Sequence, residues 1–206
     1  MSKGIPEQKI NSICVYCASG DGSRDSAITA ARALGKILAE NGIRLVYGGG
    51  SKGLMGFIAQ SVLDNGGEVL GFIPEWLIVK EGRLEGATQI SVKDMHERKQ
   101  RMFEAADAFI ALPGGIGTLE ELVEQLTWKQ LGRHKKPIVL FDIDGFWDPL
   151  LALLDNMSEW KYINYAGKYV DLPVAHHADT ILGMMYNELS GASTGNGCDR
   201  VPISAL

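Results

Sequence analysis

Leu112-Pro113-Gly114-Gly115-Ile116-Gly117-Thr118-Leu119-Glu120-Glu121 follows the apolar run Ala108-Phe109-Ile110-Ala111 and leads into Leu122-Val123-Glu124-Gln125-Leu126, which is amphipathic. In that order the three pieces predict a strand, a tight turn and the first turn of a helix. Three glycines let backbone approach a ligand closely, and the amides that open a helix are unpaired donors that favour an anion. The turn therefore reads as a phosphate cradle, although glycines at strand-to-helix turns also serve purely steric ends. The acids sharpen the question. A dinucleotide fingerprint would place its third glycine where this chain has Glu120, followed by Glu121. Carboxylates beside a phosphate repel it, so these two either perform another task or point to solvent.

The same alternation extends outward in both directions. Apolar runs at residues 10–16, 44–47, 68–73, 88–92, 108–112 and 137–141 read as buried strands, with a weaker one at 172–175. Helical patterns lie between them at 26–41, 54–65, 95–106, 119–132, 148–157 and 178–189. Asn41-Gly42 and Asn65-Gly66-Gly67 supply left-handed helix ends. Strand and helix in alternation predict an α/β fold, a Rossmann-like doubly wound parallel sheet in a single domain. Ligands in such sheets bind beyond the carboxyl ends of the strands, where every glycine turn discussed here falls. Residues 1–190 are assigned to one catalytic domain and 191–206 to a mobile, loop-like tail.

At 206 residues with 46% hydrophobic content, one sizeable core is expected. A net charge of −5 and a pI of 5.4 argue against a nucleic-acid footprint. No apolar run approaches the ~18 residues of a membrane span. The polar stretch of residues 1–9 lacks a signal-peptide core, so a cytoplasmic location is expected. Cys14 and Cys17 spell C-x-x-C, but Cys14 sits inside a strand pattern rather than opening a helix, so free thiols are expected. His96, His134, His176 and His177 show no metal-ligand spacing, and no metal site is expected.

Two further segments carry information. The first strand exits into Ala18-Ser19-Gly20-Asp21-Gly22-Ser23, read as a ligand rim with Ser19 as a contact. The second exits into Tyr47-Gly48-Gly49-Gly50-Ser51-Lys52-Gly53-Leu54, which resembles a triphosphate loop but has leucine where that loop needs lysine. ATP hydrolysis is thus not supported, yet three successive glycines still imply close approach to a ligand or a neighbouring strand. In Asp94-Met95-His96-Glu97-Arg98-Lys99-Gln100-Arg101-Met102, Asp94 is a good N-cap with Glu97 three residues on. At 100° per residue Met95, Arg98, Lys99, Met102 and Ala106 share one face, which places two cations in the stripe that should be buried. They face an anion or a cleft, or they snorkel to water. Arg101 lies off that face. On the helix after the central turn, Leu119, Leu122, Val123 and Leu126 form the expected core stripe, and Glu120, Glu121 and Glu124 lie off it. Trp128 and Leu131 also fall off it, for which a symmetric homodimer is the simplest explanation.

Together these pieces resemble a known family. Residues 113–121 match the signature P-G-G-x-G-T-x-x-E, and Met95-His96-Glu97-Arg98-Lys99 matches its companion M-x-x-R-K. Both belong to the Lonely Guy family of cytokinin riboside 5′-monophosphate phosphoribohydrolases, long labelled lysine decarboxylases. The resemblance implies a Rossmann-like homodimer that cleaves the N-glycosidic bond of an N6-modified AMP, or of AMP itself. The products are the free base and ribose 5-phosphate. It assigns catalysis to Arg98 and Glu121. It assigns substrate binding to Arg98, Lys99, Gly114, Gly115, Ile116, Gly117, Thr118, Leu119 and Glu120, with Glu81 and Thr127 as further contacts. Gly49 and Gly50 join them from the family-like stretch Val46-Tyr47-Gly48-Gly49-Gly50-Ser51.

The implied chemistry accounts for acids beside a phosphate cradle. Departure of a purine leaves positive charge on the ribose, which a carboxylate can stabilise while it orients or deprotonates water. Glu121 takes that role, Glu120 holds ribose hydroxyls, and Arg98 binds an anion through its fork. No cofactor is required. The rival reading is a non-catalytic carrier of a phosphorylated nucleotide or a pterin-type cofactor, for which an acid next to phosphate has no use. A dinucleotide-dependent dehydrogenase is disfavoured by the absent third glycine. A decarboxylase would need a pyridoxal phosphate lysine, which nothing here marks.

Overall fold

In a computed structural model, which describes residues 9–20, 24–163 and 172–191, the alternating pattern becomes one parallel sheet. The strands are β1 (Ser12–Tyr16), β2 (Arg44–Tyr47), β3 (Val69–Pro74), β4 (Thr88–Val92), β5 (Ala108–Ala111), β6 (Ile138–Phe141) and β7 (Val174–Ala175). The helices are α1 (Asp25–Glu40), α2 (Gly53–Asp64), α3 (Glu75–Glu81), α4 (Met95–Ala105), α5 (Ile116–Gln130), α6 (Asp148–Glu159) and α7 (Ile181–Ser190). A 3₁₀ turn, Ala178–Thr180, precedes α7. The strand order is β4-β3-β2-β1-β5-β6-β7, with every pair parallel.

The chain winds outward from β1 to β4, crosses back over β1, and winds the other way from β5. That reversal makes the carboxyl ends of β1 and β5 the topological switch point. A bond from the Ala18 amide to the Pro113 carbonyl, 3.2 Å, ties the two exit loops together there.

Two apolar layers flank the sheet, and β1 feeds both by strand alternation. Ile13, Val15 and Cys17 pack into the layer built with α1, α2 and α7, while Cys14 and Tyr16 pack into the layer of α4, α5 and α6. The two cysteines thus face opposite sides of the sheet, and both are free and buried. Gly42 and Gly66 do end α1 and α2 with positive φ, whereas Asn41 and Asn65 keep negative φ.

The structure differs from the pattern in four instructive places. β4 is an edge strand whose only buried residue is Val92, because no strand among the described residues pairs with its outer side. α3 was not expected: seven residues with one buried position, Leu77, are too short to show a helical period. α5 begins at Ile116 rather than near residue 119, with Gly115 as N-cap, so the glycine turn itself forms the first helical turn. The buried face of α5 is Thr118, Glu121, Leu122, Gln125 and Leu126. Val123, expected in the core, is 43% exposed, and Glu121, which lies off the expected core stripe, is buried. Spacings of 3, 1, 3 and 1 are a proper helical face, but its polar members hid it.

Helices α1 and α2 meet at Gly35, where a Cβ would lie 2.7 Å from the Ile58 carbonyl and 2.8 Å from Ser61 Cβ. The Ser61 hydroxyl donates to the Arg32 carbonyl across the same contact, at 2.7 Å. Gly35→Val is expected to force these helices apart and destabilise the fold by about 1–3 kcal/mol. Urea denaturation checks this, and an unchanged midpoint would show that the contact yields freely.

Candidate active site

Arg98 and Glu121 meet at the carboxyl edge of the sheet. Asp94 caps α4 by accepting from the Glu97 amide, 2.9 Å, which starts the helix so that Arg98 and Met102 turn inward. Arg98 is only 6% exposed. Its Nε donates to the Phe72 carbonyl on β3, 3.1 Å, and its Nη2 to the Gly48 carbonyl just beyond β2, 2.9 Å. Its Nη1 lies 4.0 Å from Oε1 of Glu121, an ion pair too long for a hydrogen bond. The snorkelling alternative is therefore excluded for Arg98: the cation is buried and faces an anion.

Glu121 is 9% exposed. Burial pushes its carboxyl up from the ordinary 4.5 to about 7. Arg98 and Lys99 from α4 pull it down, while Glu120 beside it and Glu81 from α3 push it up. Glu121 is within electrostatic reach of Cys14 and Tyr16 on its own side of the sheet and of Cys17 at the end of β1, all three of which burial raises, so they are neutral at pH 7. Glu121 is thus poised to exchange a proton near neutrality.

Lys99 stands next to this pair and bridges Glu120 Oε1 at 2.5 Å and Glu124 Oε1 at 3.0 Å. Burial pulls its ammonium down, but the hydrogen bonds to Glu120 and Glu124 outweigh that and hold it above lysine's usual value. Arg101 lies outside the cluster, paired with Glu97 at 3.3 Å on the surface.

The glycine turn lies alongside. Gly115, Ile116 and Gly117 are exposed, and a Cβ on Gly115 or Gly117 would meet nothing within 4 Å. Gly115 caps α5 without a side-chain bond, so the first-turn amides keep the orphan donors that favour an anion. Gly114 is tight instead: a Cβ there would lie 2.2 Å from Thr118 Oγ1, and Thr118 is buried beneath the turn. Leu119 packs partly into the core. Among the other predicted contacts, Ser19 is half-buried on the β1 exit loop, whose Ala18 carbonyl accepts from the Met55 amide at 3.2 Å. Residues 21–23 of that rim lie outside the described residues.

Glu81 ends α3, the helix that the pattern missed, and its main-chain carbonyl accepts from the Ser51 amide at 2.9 Å. Its Oε2 is buried with no hydrogen-bond partner among the described residues. Gly49 and Gly50 form the floor between β2 and α2, and the Gly49 carbonyl accepts from Gln89 at 2.6 Å. Thr127 stands apart, exposed two helical turns beyond Glu120, with its hydroxyl bonded to the Val123 carbonyl at 2.8 Å. That puts it about 10 Å along the axis of α5 from Glu120. Sequence reasoning missed Gly48 and Phe72, whose backbone carbonyls hold Arg98; no side-chain pattern announces a carbonyl's role. Among the described residues no group of three or more His, Cys, Asp or Glu side chains could hold a metal ion.

Comparison with known proteins places this geometry. A family model described as "Possible lysine decarboxylase" matches residues 55–185. The probable cytokinin riboside 5′-monophosphate phosphoribohydrolase LOGL1 of Oryza sativa subsp. japonica is 51% identical over 175 residues, covering 83% of this chain and 78% of that protein. The rice enzyme LOG is 52% identical over 153 residues, 74% of this chain and 63% of its own length. LOG3 of Arabidopsis thaliana is 46% identical over 163 residues, 79% and 76% of the two chains. Among solved structures, the molybdenum cofactor binding protein from Rippkaea orientalis superposes with a TM-score of 0.66. It covers 88% of this chain and 99% of its own, and at 21% identity the likeness is one of fold. With both signature motifs at the carboxyl edge of the sheet and close relatives over most of its length, the chain belongs to the LOG family of cytokinin riboside 5′-monophosphate phosphoribohydrolases.

Proposed function

We propose that this protein hydrolyses the N-glycosidic bond of N6-modified AMP, AMP itself being the simplest member of that class, and releases the free base and ribose 5-phosphate. The observation that carries the reading is a buried carboxylate, poised near neutrality, beside an open glycine turn that favours an anion. The names of the relatives support it.

In this mechanism the 5′-phosphate rests on the first-turn amides of α5, at Gly115, Ile116 and Gly117. Glu120, steered by Lys99, holds ribose hydroxyls, and Glu81 reaches the substrate from α3. The bond from C1′ to the base breaks, and its electron pair leaves with the base. Ionised Glu121 stabilises the positive charge that grows on the ribose. It then takes a proton from the water whose oxygen bonds to C1′ and releases it to solvent, from which the departing base takes the proton that completes it. Arg98 favours the ionised form of Glu121, against the cost of burial, and aids anion binding. No step calls for a cofactor. A carrier of a pterin-type cofactor would gain nothing from burying this carboxylate, and the solved neighbour at 21% identity is alike in fold alone.

The quaternary state is part of the proposal. Ile116 (83% exposed), Val123 and Leu131 (70%) lie exposed along one side of α5 and its C-cap, in a stripe that they share with Glu120 and Thr127. A second copy covering that stripe in a homodimer would bring Thr127 to the edge of a shared site. Trp128 on the same helix is half-buried and packs edge-on against the Phe103 ring of its own chain at 5.0 Å. Free buried thiols at Cys14 and Cys17 suit a reducing compartment, which supports a cytoplasmic location. No helix among the described residues is long and apolar enough to cross a membrane.

Incubation with AMP and isopentenyl-AMP, with free base followed by chromatography, tests the reading. Base release that falls at least about a hundredfold in Glu121→Gln, with nucleotide binding retained, is expected. Bound nucleotide without release would support the carrier instead. Turnover should rise about tenfold per pH unit below pH 7 and level off above it, because the ionised form of Glu121 is the active one. A flat profile from pH 5 to 8 would remove Glu121 as the titrating group.

The same shift acts on stability. A carboxyl raised from 4.5 to about 7 keeps a proton in the folded chain that the unfolded chain has released. Stability is therefore lost as pH rises from 4.5 to 7, by a total on the order of 3 kcal/mol. Glu121→Gln should raise the thermal midpoint more at pH 8 than at pH 5, and equal shifts would contradict the burial cost. Arg98→Ala should lower turnover and weaken nucleotide binding together, and it should move the acid limb upward because a lowering charge is gone. An unchanged kinetic profile would detach Arg98 from the site.

A further inference from the structure

The three glycines after β2 imply close approach, and the structure shows what approaches. A Cβ on Gly49 would meet Ile73 Cβ at 2.9 Å, and one on Gly50 would meet Met55 Cε at 2.7 Å and Glu81 Oε2 at 3.0 Å. A Cβ on Gly48 would lie 1.8 Å from Arg98 Nη2 and 2.9 Å from Arg98 Cζ. The segment is thus packed by neighbouring side chains, and Gly48 touches the one that faces Glu121.

We propose that Gly48 is a positioning residue for catalysis: its missing side chain leaves the space in which the Arg98 guanidinium lies, and its carbonyl fixes the guanidinium there with Nη1 toward Glu121. The proposal rests on the hydrolase reading of the site. Three observations carry it. Gly48 is not among the positive-φ glycines, so its backbone suits alanine as well, and glycine serves for space rather than conformation. The atom that a Cβ would strike is the tip of a flexible side chain, so a methyl group displaces Arg98 and leaves the strand in place. The displaced guanidinium cannot simply slide, because it is held at two points, Phe72 and Gly48, and Met55 Sδ stands 3.2 Å from the same Cβ position.

Displacement of Arg98 takes a positive charge away from Glu121, whose other charged neighbours are Lys99, Glu120 and Glu81. Tyr16, Cys14 and Cys17 complete its surroundings as neutral groups. Gly48→Ala should therefore reproduce the effects of Arg98→Ala with the arginine still present.

The test is a double-mutant cycle of Gly48→Ala and Arg98→Ala, read by base release from AMP and isopentenyl-AMP across pH. Gly48→Ala alone is expected to fold, to lose at least about tenfold in turnover, and to move the acid limb upward. In the Arg98→Ala background, where the space is free, it should change neither rate nor limb. Wild-type kinetics in the single variant, or losses that multiply in the double variant, overturn the proposal. If Gly48→Ala does not fold, the double variant should fold, and failure of both overturns the proposal equally. If the wild-type protein releases no base, the hydrolase reading fails by itself. Titration of the Glu121 carboxyl by carbon-13 NMR in ligand-free protein then decides about Gly48. An upward shift in Gly48→Ala that is absent in the Arg98→Ala background sustains it, and no shift overturns it.

Discussion

A buried charge pair at the carboxyl edge of the sheet, Arg98 with Glu121, is the constraint on which the rest of the site depends. Removing a guanidinium and a carboxylate from water is costly unless both find partners. Arg98 is satisfied by two backbone carbonyls at the ends of β2 and β3. Glu121 is not satisfied in that way. Its contact with Arg98 is a 4.0 Å ion pair, so desolvation outweighs attraction and its proton is held to about pH 7. The asymmetry between the partners creates a reactive group from an otherwise ordinary acid. The neighbouring cluster of Lys99, Glu120 and Glu124 is closer and more exposed, and there the hydrogen bonds prevail over burial.

Sheet topology brings this pair together. α4 follows β4 at one edge and returns the chain to β5, next to β1 at the switch point, and α5 leaves from β5. Arg98 thus comes from the last helix of one winding and Glu121 from the first helix of the other. The carbonyls that hold Arg98 belong to strands of the first winding. The glycine turn opens α5 at the same edge, so an anion seat and a titratable acid share one helical turn.

Much of this was legible in the sequence. The parallel α/β sheet followed from alternating patterns, and Arg98 was marked by falling between Met95 and Met102 on a face that should be apolar. Glu121 was marked by the family signature, but periodicity pointed it to solvent. The buried face of α5 includes Thr118, Glu121 and Gln125, so counting apolar residues selected a face one residue round the helix, with Val123 in place of Glu121. Polar residues at core-facing positions occur where function overrides the pattern. α3 was invisible because seven residues with one buried position carry no period, and the seat of Arg98 was invisible because it is made of backbone and of a missing Cβ. The triple glycine signalled close approach without saying to what.

The account turns on the protonation of one group, and the most direct measurement is the ionisation of Glu121 in the ligand-free wild-type protein. Carbon-13 NMR of the glutamate side-chain carboxyls, with Glu121→Gln used to assign the resonance, gives it without reference to any substrate. The account predicts a midpoint near 7, well apart from an ordinary glutamate. A midpoint near 4.5 would mean that water or Arg98 satisfies the carboxylate fully. The buried pair would then be a structural ion pair rather than the source of the chemistry.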